Sequence, residues 1–122
     1  KHMDSDRHAK MTGVGNERIL SNIEALSGSS WKGRLILRMP DIEGFNDSLE
    51  NAEKLAAFMK KNGLFEINIL PFHRLGTSKW EQLGKKYPYA EYLPTEEAVL
   101  EKLQEYYLDQ RIACYVGDDV VY

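Results

Sequence analysis

The apolar residues of this chain recur with a helical period in some stretches and with a strand-like period in others. Residues 16–27, NERILSNIEALS, space apolar side chains by three, four and seven, as an amphipathic helix does. Similar stripes run from about Leu49 to Asn62 and through PTEEAVLEKLQEYYLDQ. The side chains predicted to be buried in these helices are Ile19, Leu20, Ile23 and Leu26, then Leu49, Ala52, Leu55, Ala56 and Met59, then Val99, Leu100, Leu103, Tyr106 and Tyr107.

Three short apolar runs between these stripes predict strands: GRLILRMP, FEINILPF and RIACYVGD. Pro40 and Pro71 are expected to close the first two, because proline lacks the N–H that a sheet ladder needs. Strands alternating with helices at this spacing predict a parallel α/β sheet with right-handed crossovers and both faces covered. In the third run, Ile112, Cys114 and Val116 should share one face, with Ala113 and Tyr115 on the other.

Turn and cap residues mark the ends of these elements. Gly44 is expected in a turn and Gly63 in a left-handed helix cap. The stretch TSKWEQLGKKY predicts a short helix capped by Thr77 or Ser78. Capping side chains before the second helix are expected at Asn46, Asp47 and Ser48.

Length and charge restrict the classes of function. A chain of 122 residues forms one domain but is short for an α/β enzyme with a cofactor. The net charge of -3 comes from mixed acidic and basic residues without a basic stripe, which argues against nucleic acid as a partner. No apolar run is long enough to span a membrane and no signal-peptide pattern is present, so a cytoplasmic location is predicted. Lys1 and His2 precede Met3, so we expect a tagged chain or part of a longer one.

Few residue types here suit a metal or a nucleophile. Cys114 is the single cysteine, which permits no internal disulfide and cannot hold an iron–sulfur cluster alone. Its apolar neighbours predict a core residue. His2 and His8 are expected in solvated positions of a loop or at the start of a helix near the N-terminus. Asp4 and Asp6 are expected to assist the start of this helix.

Two cationic or titratable side chains fall where predicted strands end. Arg38 ends the first strand and His73 follows the second. Parallel α/β folds bind ligands at the carboxyl ends of their strands, so the pair predicts a polar, partly anionic ligand. The alternative is structural: a loop histidine bonded to backbone, and an arginine paired with a helix carboxylate.

Three segments, in order, resemble one known family. KHMD…H…TGVGNERILSNI, LILRMPDIEGFNDS and INILPFHRLGTSKWEQLG are similar to the C-terminal half of glycyl-radical-enzyme activating enzymes. These belong to the radical S-adenosylmethionine family, which includes pyruvate formate-lyase activating enzyme. The resemblance covers most of the chain from Lys1 to about Tyr87. KHMD and GFNDS are more similar to the decarboxylase, dehydratase and lyase branch.

The resemblance implies a fold, cofactors and a site. Residues 1–122 would be a single partial domain, the C-terminal half of a partial (βα)6 TIM-like barrel with parallel strands and flanking helices. In the family, a 4Fe-4S cluster reduces S-adenosylmethionine, and the resulting 5'-deoxyadenosyl radical takes a hydrogen atom from a glycine of the partner enzyme. The resemblance implies that Lys1, Arg38 and His73 bind S-adenosylmethionine, and that a flavodoxin- or ferredoxin-type protein donates electrons.

The chain also departs from the family pattern. It lacks the CxxxCxxC motif and the glycine-rich motif, so it is expected to be a C-terminal fragment that is catalytically incomplete alone. An open sheet edge would then favour self-association. One alternative is a non-catalytic α/β module that binds a nucleotide or a protein. Another is a barrel lyase or isomerase with His73 as general base, although no acidic partner or metal site accompanies it. Arg74 has no assigned role.

Overall fold

The computed structural model describes residues 1–71, 96–118 and 120. Helices and strands follow one another in the order expected of a βα-repeat fold. The helices are α1 (Ser5–Thr12), α2 (Glu17–Ser27), α3 (Leu49–Lys61) and α4 (Glu97–Asp109), and the strands are β1 (Leu37–Asp41), β2 (Glu66–Pro71) and β3 (Ala113–Val116).

The three strands form one parallel sheet in the order β1-β2-β3. The register places Arg38 beside Asn68, and Asn68 beside Tyr115, across all three strands. Consecutive parallel strands joined through helices are the arrangement of a (βα) barrel segment. The prediction of a parallel α/β fold with flanking helices, forming part of a barrel, is confirmed.

One face of the sheet forms the hydrophobic core with α3 and α4. Ile67 and Ile69 of β2 are fully buried there, together with Met39 of β1 and Cys114 of β3. Burying one side chain of this size stabilises the folded state by roughly 1.5 to 3 kcal/mol, relative to leaving that side chain exposed. The helical positions that complete this core are Ala52, Leu55, Ala56, Met59, Leu100, Leu103 and Tyr107.

The opposite face of the sheet is polar. Because side chains alternate along a strand, Arg38, Glu66, Asn68 and Tyr115 lie on the face away from this core. The prediction that helices cover both faces is therefore wrong for the helices described, since α3 and α4 both pack over the apolar side. In a barrel the helices lie outside, and the second face of the sheet turns towards the interior.

Two helical stripes are less buried than their sequence pattern predicts. Ile19 and Leu26 of α2 are 45% and 38% exposed, while Ile23 packs only partly against the core. In the described part of the sheet β1 is an edge strand, and a cavity separates α2 from Leu37 of β1 and Ile67 of β2. Leu49, the first residue of α3, is also exposed because it lies beyond the core that covers the rest of the helix.

Pro40 does not end β1, contrary to prediction. The strand continues to Asp41, and Pro40 is paired with Leu70 of β2. The Pro40 carbonyl accepts a hydrogen bond from the Asn46 side chain. Proline is tolerated on an edge strand when the side without an N–H faces away from the ladder. Pro71 is the last described residue of β2, and whether it closes the strand lies outside the described residues.

Most predicted caps are present. Asp4 accepts from the Arg7 amide at the start of α1, and Ser48 accepts from the Asn51 amide at the start of α3. Gly44 and Gly63 have positive φ angles of 74° and 70°, which favour glycine. The helix expected in TSKWEQLGKKY lies outside the described residues. Within the part of the chain that is described, every helix is too short or too polar to cross a membrane.

Cys114 gives a simple test of the core. Burial raises the pKa of the Cys114 thiol to about 12, so little thiolate forms near neutral pH. We expect a disulfide reagent at pH 8 to label the folded chain more than about a hundredfold slower than the urea-unfolded chain. Since the chain has one cysteine, absorbance of the released thiol reports this site alone. Equal rates in the two states would place Cys114 at the surface instead.

Candidate functional site

The first three residues are held against the carboxyl end of β1 by buried asparagines. Asn46, which is fully buried, donates through Nδ2 to the carbonyls of Lys1 (2.9 Å) and Pro40 (2.6 Å). Its Oδ1 accepts from the Ile42 amide at 2.8 Å. The predicted role of Asn46 as a helix cap is wrong, because its side chain ties the N-terminal segment to the strand end. Lys1 therefore lies at the carboxyl rim of the sheet.

Two further asparagines fix the backbone after Lys1. Asn16 donates to the carbonyls of His2 and Met3, at 2.9 and 2.8 Å. Asn51 accepts from the Met3 amide at 2.9 Å and donates to the Asn46 carbonyl at 3.2 Å. Backbone groups are thus satisfied by amide side chains, which can both donate and accept. The segment has a defined path along the rim.

His2 and His8 are buried, so the prediction that they are solvated is wrong. The Asp4 amide donates to His2 Nδ1 at 2.9 Å, and the ring packs at 5.1 Å from that of Phe45. Burial lowers the pKa of His2, so the neutral form is favoured. His8 lies 2.7 Å from the Val14 carbonyl through Nδ1, which must therefore donate. Both rings organise the N-terminal segment, and His2 also lines the cavity that Lys1 and Arg38 line.

Arg38 extends from β1 on the polar face and is exposed. Its Nε donates to Asn68 Oδ1 at 3.2 Å. Among the described residues, Asn68 is the one hydrogen-bond partner of Arg38, and it is bonded through Nε rather than through a terminal nitrogen. A guanidinium fork in this state suits a carboxylate or a phosphate.

Lys1 and Arg38 line the same cavity of about 110 Å³. Most of its wall is apolar and comes from α2 and from the β1 and β2 residues of the core face, including Ile23, Leu37 and Ile67. The cavity is a gap between α2 and the edge of the sheet, too small for a nucleoside. The two predicted site residues, Lys1 and Arg38, therefore lie on the wall of the same cavity.

A second polar network lies nearer the amino ends of the strands. Arg34 donates to both carboxylate oxygens of Glu66, with an Nε–Oε2 distance of 2.8 Å. The Tyr115 hydroxyl donates to Glu66 Oε1 at 2.8 Å. The hydrogen bond from Arg34, followed by that from Tyr115, holds the pKa of the Glu66 carboxyl below its ordinary value of 4.5. These hydrogen bonds fix the side chains at the part of the polar face nearest the amino ends of the strands.

Glu66 should make stability depend on pH. Because its folded pKa is depressed, its stabilisation is complete above the unfolded value of 4.5 and is lost as pH falls through the folded pKa. We expect the free energy of unfolding to fall less between pH 5 and pH 3 in Glu66→Gln than in the unchanged chain. Urea titrations at several pH values measure this difference. The exposed Glu105→Gln serves as control, and an equal acid response in Glu66→Gln and the unchanged chain would refute the prediction.

The residues fit one of the cofactors implied by the resemblance and not the other. Lys1 lies beside the carboxyl end of β1, but the prediction that Arg38 ends this strand is wrong, because Arg38 is its second residue. Both cationic residues line the same cavity, and such donors suit the carboxylate of S-adenosylmethionine. His73 and Arg74 lie outside the described residues. An iron–sulfur cluster does not fit: the chain has one cysteine, which is buried, and no group of metal-ligating side chains occurs among the described residues.

Sequence reasoning missed Asn68, Glu66 and the asparagines that hold residues 1–3. A signal for the first two was present, since Glu66 and Asn68 alternate with Ile67 and Ile69. Such alternation indicates one polar face, although the run was interpreted as a strand buried on both sides. No local pattern marks Asn16, Asn46 or Asn51, because their partners are distant in sequence.

Comparison with known proteins supports the resemblance to activating enzymes that the sequence showed. No protein-family model matches the chain. It is 58% identical over 119 residues to 4-hydroxyphenylacetate decarboxylase activating enzyme of Clostridium scatologenes, covering 98% of this chain and 38% of the relative. The corresponding protein of Clostridioides difficile strain CD196 is 55% identical over 122 residues, which is 100% of this chain and 39% of the relative. Over 98% to 100% of its length, this chain is therefore similar to part of the glycyl-radical-enzyme activating enzymes.

Less similar proteins are named after other partner enzymes. Indoleacetate decarboxylase activating enzyme of Tractidigestivibacter scatoligenes is 35% identical over 117 residues, covering 96% of the chain and 37% of the relative. The crystal structure of a domain of pyruvate-formate lyase-activating enzyme from Bacteroides vulgatus superposes with a TM-score of 0.75 at 25% identity, covering 96% of this chain and 63% of that one. The chain thus spans less than two fifths of the length of these curated relatives.

Proposed function

We propose that this chain is the S-adenosylmethionine-contacting part of an activating enzyme that generates a glycyl radical on a partner enzyme. The 4Fe-4S cluster is held by a region of the longer protein outside this chain, because the single cysteine here cannot hold it. S-adenosylmethionine, when bound at a reduced cluster, supplies the radical that removes hydrogen from the partner's glycine. The chain alone is catalytically incomplete.

The observation that carries the proposal is that Lys1 and Arg38 line the same cavity beside β1. Asn46 bonds the Lys1 carbonyl and the Pro40 carbonyl together, and Arg38 lies two residues before Pro40. Two cations there lower the free energy of an anionic group placed between them. We propose that they bind the carboxylate of S-adenosylmethionine and that His73, next to the end of β2, contacts its adenosine part.

We propose a decarboxylase of arylacetates as the partner. Support comes from the relatives whose names carry 4-hydroxyphenylacetate decarboxylase at 55% to 58% identity, against 25% for the structure named after pyruvate-formate lyase. This narrows the expectation from sequence, which allowed pyruvate formate-lyase as well. A flavodoxin- or ferredoxin-type donor remains part of the proposal.

The test is activation of a decarboxylase by a full-length protein, meaning a protein of the relatives' length that contains this chain. After anaerobic cluster reconstitution, it is incubated with S-adenosylmethionine, dithionite and 4-hydroxyphenylacetate decarboxylase. We expect the doublet of a glycyl radical in the electron paramagnetic resonance spectrum of the decarboxylase. Pyruvate formate-lyase is the matched control and should give at least about tenfold less radical, equal to 1.4 kcal/mol of discrimination.

Each outcome separates the alternatives. A radical on pyruvate formate-lyase but not on the decarboxylase would reject the proposed partner and keep the activity. A reconstituted cluster with no radical on either enzyme would reject the activity. Binding of S-adenosylmethionine without radical formation would instead support the non-catalytic binding module.

A further inference from the structure

Asn68 occupies the centre of the polar face, between Arg38 on β1 and Tyr115 on β3. The parallel register places these three residues at the same level of the sheet. Asn68 is fully buried, whereas Arg38 is exposed. A buried polar side chain at such a position needs partners, and its partners decide which way it points.

The orientation of the Asn68 amide is determined by β3. Its Nδ2 lies 3.2 Å from the Tyr115 carbonyl and 3.0 Å from the Gly117 carbonyl. Carbonyl oxygens only accept, so the amide nitrogen must face them and the amide oxygen must face the other way. The oxygen therefore points towards β1, where it accepts from Arg38 Nε at 3.2 Å.

This contact sets the plane of the Arg38 guanidinium without using its terminal nitrogens. The Nε bond restrains a long and otherwise mobile side chain. In the described part of the chain, no residue hydrogen-bonds the two terminal nitrogens of Arg38. A group that is held in place before binding loses less conformational entropy when the ligand arrives.

We propose that Asn68 is a positioning residue that holds Arg38 ready for the carboxylate of S-adenosylmethionine. The inference rests on the proposed function, since it requires Arg38 to touch that ligand. Asn68 itself touches Arg38 and β3 and not the ligand. Its effect on binding must then pass through Arg38.

A double-mutant cycle in the full-length protein tests this route. The dissociation constant of S-adenosylmethionine is measured for the unchanged protein, Asn68→Leu, Arg38→Met and the double variant. We expect Asn68→Leu to weaken binding by about 3- to 10-fold, because the ligand must then immobilise the Arg38 side chain itself. In the Arg38→Met background the same change should alter binding by less than about twofold, because Asn68 then has no guanidinium group to position.

A carboxylate-free ligand separates positioning from a merely structural role. Decarboxylated S-adenosylmethionine should bind Asn68→Leu and the unchanged protein equally well. Tyr115→Phe, which keeps the backbone carbonyl that Asn68 uses, is the control and should leave both ligands unaffected. If Asn68→Leu fails to fold, Asn68→Thr replaces it, because threonine suits a strand and is too short to reach Arg38 Nε.

The failures are distinguishable. If Arg38→Met binds S-adenosylmethionine as the unchanged protein does, the proposed site and the role of Asn68 both fall. If Arg38→Met weakens binding but the losses from the two variants multiply, the site stands and the role of Asn68 is rejected. Equal loss of both ligands in Asn68→Leu would also reject positioning in favour of a general effect on the sheet.

Discussion

Replacement of Arg38 by methionine in the full-length protein is expected to weaken S-adenosylmethionine binding by about 10- to 100-fold. The range corresponds to loss of one or two charge-assisted hydrogen bonds to a carboxylate. Methionine keeps an unbranched side chain of similar reach, so the strand and its neighbours should be undisturbed. The affinity of Arg38→Lys for S-adenosylmethionine should lie between those of the unchanged protein and Arg38→Met, because an ammonium group keeps the charge but cannot form two parallel hydrogen bonds.

Equilibrium binding, with cluster absorbance recorded on the same samples, measures the effect of Arg38→Met. Unchanged absorbance shows that the loss lies in ligand binding and not in the cluster. Arg18→Met is a matched control, because Arg18 is an exposed arginine on α2 that does not line the Lys1–Arg38 cavity. Equal affinity in Arg38→Met and Arg18→Met would remove Arg38 from the site.

Replacement of Asn46 by alanine should lower the free energy of unfolding by about 2 to 4 kcal/mol. The change removes one accepted and two donated hydrogen bonds of a fully buried side chain. It leaves the Ile42 amide and the Lys1 and Pro40 carbonyls without that partner. Breaking the Lys1 bond should also release residues 1–3 from the rim.

Urea unfolding followed by tryptophan fluorescence measures the stability of Asn46→Ala. Hydrogen exchange at the Met3 amide, which donates to Asn51, reports release of the N-terminal segment. Asn22→Ala on the exposed face of α2 is the control and should change stability by less than about 0.5 kcal/mol. A similarly small change for Asn46→Ala would mean that water replaces its bonds without cost.

Local periodicity was enough to predict the elements of the fold. The α3 stripe of Ala52, Leu55, Ala56 and Met59 is buried as expected, because its spacing alone defines one face of a helix. The strand positions of β3 also alternate as predicted, with Cys114 inside. The exposure of Ile19 and Leu26 could not be predicted, because an apolar stripe on a helix does not indicate how far the sheet extends beneath that helix.

The candidate site was only partly predictable. The sequence pattern placed Arg38 at the end of β1, although it is the second residue of that strand. The resemblance gives Arg38 a ligand, but neither the pattern nor the resemblance reveals what orients the side chain. The Asn68 amide is oriented by carbonyls 47 and 49 residues away, on a strand whose register is known only in the folded sheet. His2 and His8 were misjudged for the same reason, because distant packing buries them.

The sequence by itself determined the period of each element, the parallel βα order and the inability of one cysteine to hold a cluster, because these depend on neighbouring residues or on simple counts. Only the tertiary structure decided that Asn46 brings Lys1 to β1 across 45 residues, and which way the Asn68 amide points. These features depend on hydrogen bonds between distant parts of the chain, and strand register, rather than local pattern, selects their partners.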